Sequence, residues 1–294
     1  MQYLKKSINN ISMVILATLL LIAVSGFVLL LDREKMPFVD EDGERLEQIE
    51  SGFVLTEADQ MTTGENLERV LLDEYVDGFC IKEAGSYYLT GTLGGQLQID
   101  AQEQIVHLIL DNVLIESSSG SAMVVHSAGK VILTLQEGSI NSIRDSATYP
   151  TGAKEDACIY SACDMTVNGK GRLNVSGYYE DAIHTKDVLK IIDADVFVQA
   201  KRDGLHGNDG IYITGATLSV ESERHGLNST KTGNVPKGNI EILGSECSVI
   251  AGGYAISSSA DLYVYDCNLY AIGVYDAFNV KGTSYIDEGV PVGE

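Results

Sequence analysis

Three short apolar strands recur in every stretch of about 22 residues, with no helix-length segment between them. That periodicity restricts the fold more than any other feature of the chain. Met165-Thr-Val-Asn168, Leu189-Lys-Ile-Ile192, Ile211-Tyr-Ile-Thr214, Ile240-Glu-Ile-Leu243 and Leu262-Tyr-Val-Tyr265 open successive units. A second strand follows each after a turn: Leu173 to Val175, Val196 to Val198, Leu218 to Val220, Ser248 to Ile250 and Leu269 to Ala271. A third closes the unit, at Ala182-Ile183-His184, Gly204-Leu205-His206, Gly226-Leu227-Asn228, Ala255-Ile256-Ser257 and Ala277-Phe278-Asn279. Leu189 and Ile211 lie 22 residues apart, as do Ile240 and Leu262; insertions such as Thr230 to Lys237 lengthen other units.

A repeat this short cannot bury an apolar face alone and must stack on its neighbours. Three strands and no helix per unit predict an all-β solenoid, a parallel β-helix, rather than a leucine-rich horseshoe or a propeller. Equivalent residues then stand about 4.8 Å apart on adjacent coils. Ile183, Leu205, Leu227, Ile256 and Phe278 form one inward ladder on this reading, and Tyr87–Leu89, Gln96–Ile99, Val106–Leu110 and Val131–Leu135 supply earlier strands. Thirty glycines against four prolines suit strands joined by tight turns. The outermost coils are sheet edges and need covering.

Ahead of the repeat, Lys5 and Lys6 precede an uncharged run from Ile8 to Leu31, long enough to span a bilayer. The lysines before it and the acidic residues after it place the amino end in the cytoplasm. The expected organisation is a signal-anchor helix over 1–31, an acidic stalk with a short helix over 32–76, and a β-helix over 77–288 outside the cell. A cleaved signal peptide with Ala23 and Ser25 before the cut is the alternative, but Phe27 to Leu31 carry the apolar run past that point.

Forty-two acidic against twenty basic side chains give a net charge of −22. Such a surface repels nucleic acid and suits divalent cations. The five cysteines match no zinc or redox spacing and read as small buried hydrophobes. No glycine-rich phosphate loop, serine elbow or zinc-protease helix is present.

Ala84-Gly-Ser-Tyr-Tyr-Leu-Thr-Gly91, Leu108-Ile-Leu-Asp-Asn-Val-Leu-Ile115, Leu135-Gln-Glu-Gly138 with Asn141 and Tyr149, and the Asp-Ala-Ile-His184 and Asp-Gly-Leu-His206 repeats occur in that order. The set resembles the bacterial carbohydrate-binding domain family built on a polysaccharide-lyase-like, right-handed β-helix. The resemblance covers about Asp77 to Tyr285. It implies calcium-assisted binding of plant-type polysaccharides, acidic uronate polymers among them, outside the cell.

Stacking also orders the polar residues. Counted from two residues before each inward Ile or Leu, one column reads Ala157, Asp181, Asp203, His225, Tyr254 and Asp276. Six residues on, Asp187 and Asp209 form a second acidic pair, with Cys163 before them. Carboxylates one coil apart repel unless a cation or an arginine separates them. Clustered oxygen ligands suit calcium, so Asp181, Asp203, Asp187 and Asp209, completed by Asn208, Glu180 and backbone carbonyls, are the expected ligands. The alternative is a solvated acidic edge relieved by nearby bases. The outward column Tyr160, His184, His206, Asn228, Ser257 and Asn279 offers hydrogen bonds to sugar hydroxyls, and zinc there lacks a clear third ligand. Arg202, Arg224, Lys186, Tyr178 and Tyr179 complete the expected polysaccharide contacts. Were the protein a lyase, Arg202, Arg224 or Lys201 would be the base, but the short turns argue for a non-catalytic binder. A calcium-stiffened adhesive scaffold is the third reading.

Overall fold

The computed structural model describes residues 54–64, 66–232, 237–287 and 290, together with the strands Phe38–Val39 and Arg45–Leu46. Two compact units divide the chain between Val54 and Leu55. In the first, Phe38–Val39 pairs antiparallel with Arg45–Leu46. The expected membrane-spanning run lies outside the described residues, among which no helix is long and apolar enough to cross a membrane.

The second unit is all β apart from the 3-10 turns Ala58–Gln60 and Leu72–Glu74. Every strand pairing in it is parallel, and each strand pairs with its equivalents on neighbouring coils, as the repeat predicts. One strand per coil builds a nine-stranded sheet from Gly78–Ile81 to Asp276–Val280. The other two build a sixteen-stranded sheet, bent through Ile105–Glu116, whose first half pairs with Lys130–Leu135 and whose end pairs with Ile140–Arg144.

The inward ladder exists in register. Ile159, Ile183, Leu205, Leu227, Ile256 and Phe278 are successive partners. The first five are fully buried, and Phe278 on the last coil packs against the core at partial burial. Small residues stand just before the ladder because the coil corner is tight. A Cβ on Gly204 would lie 2.2 Å from Val220 Cγ1 and 2.7 Å from the Gly226 carbonyl oxygen. The opposite corner turns on a single left-handed residue: Asp193 (φ 51°), Gly215 (61°), Gly244 (55°) and Asp266 (48°). Gly and Asp tolerate that conformation, which lets the chain reverse in one residue.

The structure departs from the expected stalk. Glu68–Leu71 is a strand of the first coil, paired in parallel with Gly85–Leu93. Thr56 to Met61 lies across the outer face of the sixteen-stranded sheet, held by Asp59, which is fully buried. Its carboxylate accepts hydrogen bonds from Lys130 Nζ at 2.7 Å, Lys190 Nζ at 2.8 Å and Thr166 Oγ1 at 2.6 Å, on three successive coils. Asn168 Nδ2 donates to the Asp59 and Met61 carbonyls at 3.0 and 2.8 Å. Burial pushes the Asp59 carboxyl upward, but the two ammonium groups outweigh it and hold the pKa well below the usual carboxylate range. Removing one member of a buried ion cluster strands the others without a counter-charge. Asp59→Ala is therefore expected to lower the unfolding free energy by about 3–5 kcal/mol in urea titrations.

Candidate functional site

Two corners and one face of the nine-stranded sheet collect the chemistry. The face is the outward column of its strands. The first corner joins the second strand of each unit to this sheet; the second leads on to the next strand.

At the first corner Asp181 and Asp203 are stacked neighbours, as the column count requires, and both are fully buried. An arginine stands against each. Arg202 grips Asp181 with two hydrogen bonds, Nε to Oδ1 at 2.7 Å and Nη2 to Oδ2 at 3.0 Å. The same guanidinium reaches Glu180 at 2.5 Å and Asp156 at 3.1 Å. Asp181 also accepts the Asp203 backbone N–H at 2.9 Å and His206 Nδ1 at 3.0 Å. Asp203 accepts Asn228 Nδ2 at 2.7 Å and the His225 backbone N–H at 3.2 Å, with Arg224 Nε 3.1 Å away. With their lone pairs so engaged, Asp181 and Asp203 do not fit calcium, whose six to eight oxygen ligands must be open to it, while among the described residues Glu180 is held by Arg202 alone.

Burial works against each charge here, but the partners outweigh it. His206 and Arg202 hold the Asp181 carboxyl low, and His184 and Arg202 hold Asp156 down to about 2. Arg202 is held above its already high value by Asp181, Glu180 and Asp156. A guanidinium fixed in its protonated form cannot abstract a proton, so Arg202 does not fit a lyase base. Lys201 pairs with Glu223.

On the face, His184 and His206 point away from the core, yet neighbours leave them only 2 % and 7 % exposed. Their rings stack at 4.0 Å, with planes 6° apart. His184 Nδ1 faces Asp156 at 2.5 Å, and its Nε2 faces Asn208 Oδ1 at 3.3 Å. Asn208 is thus engaged by His184 and, at 2.9 Å, by the Thr230 hydroxyl. Asp181 brings the third ligating group that the sequence lacked: one ligand atom each from Asp181, His184 and His206 lie within 4.8 Å of one another. Two parallel rings 4.0 Å apart cannot both direct an in-plane lone pair at one ion, so the trio does not fit tetrahedral zinc. Toward the amino-terminal coils the face opens into a polar cleft of about 670 Å³, lined by Gln96, Gln98, Ser119, His126, Tyr149 and Glu155 among others.

At the second corner Asp209 is 4 % exposed, and its Oδ1 makes no hydrogen bond. Lys231 Nζ lies 3.6 Å from that oxygen, and Lys237 pairs with Oδ2. Burial, then the charges of Asp164 and Asp209, push the Asp187 carboxyl up. Asp164, one residue off the column, is a member the sequence reading missed. Lys237 and Lys231 oppose that repulsion, and Asp209 Oδ1 is the buried oxygen of the group left without a hydrogen bond. Lys186 lies 5.6 Å from the Tyr160 ring centroid, a cation–π contact on the same side.

The loop from Asp145 to Asp156 supplies groups no column could reveal. Tyr149 stacks on Tyr179 at 4.1 Å with planes 12° apart, leaving Tyr179 39 % and Tyr178 49 % exposed. Beneath them buried Asp145 accepts the Tyr149 hydroxyl at 2.7 Å and the Tyr178 backbone N–H at 2.6 Å. Burial lifts its carboxyl to about 6 despite these donors.

Arg202→Ala leaves three carboxylates facing one another and is expected to lower the unfolding free energy by about 3–5 kcal/mol. The Asp145 penalty is fully present above about pH 6, where the buried form is ionised, and is relieved as pH falls toward its unfolded value. Wild type should therefore gain about 2–3 kcal/mol on Asp145→Asn between pH 7 and pH 4, read from paired urea midpoints.

A family model described as "Carbohydrate-binding domain-containing protein" matches residues 77–283. A protein of that description from Acetivibrio thermocellus is 30 % identical over 159 residues, covering 48 % of this chain and 56 % of the relative. This chain thus spans little more than half that relative's length. A solved structure, described as a polysaccharide lyase-like protein from C. thermocellum in a gadolinium derivative, superposes with a TM-score of 0.72 at 28 % identity. That match covers 74 % of this chain and 90 % of the other.

Proposed function

Because the chain belongs to the carbohydrate-binding domain family over residues 77–283, we propose that it is a non-catalytic polysaccharide-binding protein using the outer face of the nine-stranded sheet and its flanking corners. The observation that carries this reading is a polar cleft and aromatic-bordered face on a family-typical solenoid. Short coil turns give little material to wall off a reaction from water, and Arg202 is spent on three acids. Both favour binding over elimination chemistry.

Calcium is the second part of the proposal. Asp164, Asp187 and Asp209 would hold it, since like charges meet there and Asp209 Oδ1 lacks a hydrogen bond. Bound there it would offset the acidic column and present positive charge to a uronate. The right-handed coil sense and display outside the cell through the apolar amino-terminal run belong to the same reading.

Retention of the full chain on immobilised plant polysaccharides tests binding; release of unsaturated uronate, followed by ultraviolet absorbance, would overturn the non-catalytic assignment. Calcium at a hundred times its Kd should raise the unfolding free energy by about 2.7 kcal/mol. Chelator should remove that gain, and the Asp187→Asn, Asp209→Asn double variant should lack it. An unshifted wild-type melt would end the calcium reading.

A further inference from the structure

The first corner carries a strip along the solenoid axis whose side chains are exposed at Tyr178, Tyr179, Lys201, Glu223, Arg224 and Tyr275, with Gly252 and Gly253 between them carrying no side chain. Backbone hydrogen bonds tie it together, from Arg202 N–H to the Glu180 carbonyl, Arg224 to Arg202, Gly253 to Arg224, and Tyr275 to Gly253. Aromatic rings stand at both ends. Tyr178 and Tyr179 lie at one, backed by Tyr149. At the other, Tyr254 stacks on His225 at 5.5 Å and meets Tyr275 edge-on at 5.6 Å; Tyr275 is 72 % exposed. His225 accepts the Tyr254 backbone N–H at 3.2 Å on Nδ1, which fixes the ring beneath the tyrosine.

The charges between these ends are paired internally: Arg202 with Glu180, Asp181 and Asp156; Lys201 with Glu223; Arg224 with Asp203. No uncompensated cation on the strip awaits an anionic ligand, and the chain's net charge of −22 disfavours one. Exposed tyrosine faces without spare charge suit the apolar faces of sugar rings, and the paired carboxylates and guanidinium edges suit hydroxyls. Tyr179 and Tyr275 are four coil steps apart, about 19 Å at the strand spacing. An extended pyranose chain advances by about one ring per such step, so about five rings span the strip.

We infer that this corner is a calcium-independent track for an extended neutral polysaccharide chain, with Tyr179 and Tyr275 stacking on its two end rings. The inference rests on the polysaccharide-binding reading and specifies the ligand class of one flanking corner, across the sheet from the acidic corner.

Calorimetry of the full chain in chelator tests it, using gluco-, xylo- and manno-oligosaccharides of two to six rings. At least one series should gain affinity with each ring up to about five and then level off. Tyr275→Ala should weaken the five-ring ligand about tenfold while leaving the two-ring ligand unchanged, and Tyr275→Phe should restore it. Tyr179→Ala should do the same from the other end. An unaltered melt of Tyr275→Ala, a surface substitution, certifies its fold. Five-ring binding indifferent to both alanine variants overturns the track. So does wild type that takes up none of the neutral series in chelator yet still binds oligogalacturonate with calcium, and there the polysaccharide reading survives. Wild type that takes up neither neutral nor acidic glycans overturns both.

Discussion

Parallel pairing of each coil with the next, at about 4.8 Å, governs this molecule. It seats every side chain against its equivalents one coil above and below, so like meets like along the axis. For Ile183, Leu205, Leu227 and Ile256 this is favourable, since apolar side chains buried in register exclude water from the whole interior. For acids the same geometry is costly, and every buried carboxylate column must find relief. Arg202 relieves Asp181, and Arg224 relieves Asp203, each cation arriving one coil later and one residue before the acid's equivalent position. Lys130 and Lys190 are relieved in turn by Asp59, which pins the entering chain across three coils.

The two corners of the nine-stranded sheet solve this problem differently, and that difference gives them different chemistry. At the Arg202 corner charges are internally matched and the exposed material is aromatic. At the Asp187 corner three acids repel one another across the coils, two lysines reach only Asp209, and one of its buried oxygens has no hydrogen bond. Between them the histidine stack is packed under its neighbours, which makes it part of the wall rather than a ligand for sugar.

The repeat in the sequence determined the solenoid, the identity of the inward ladder and which acids become neighbours, because the three-strand pattern recurs in each unit and the insertions fall in loops. It also located Arg202, Tyr178 and Tyr179 beside those acids. It could not decide which partner neutralises each column. That depends on where long side chains reach and on residues from outside the repeat, such as Asp156, Tyr149 and Asp59. Tertiary structure alone decided that Asp181 belongs to an arginine, that Asp164 joins Asp187 and Asp209, and that Tyr254 and Tyr275 extend the aromatic edge. The physical reason is the difference in reach: backbone periodicity dictates which Cβ atoms are neighbours, whereas charge pairing is settled several bonds farther out, by loops that share no period with the coil.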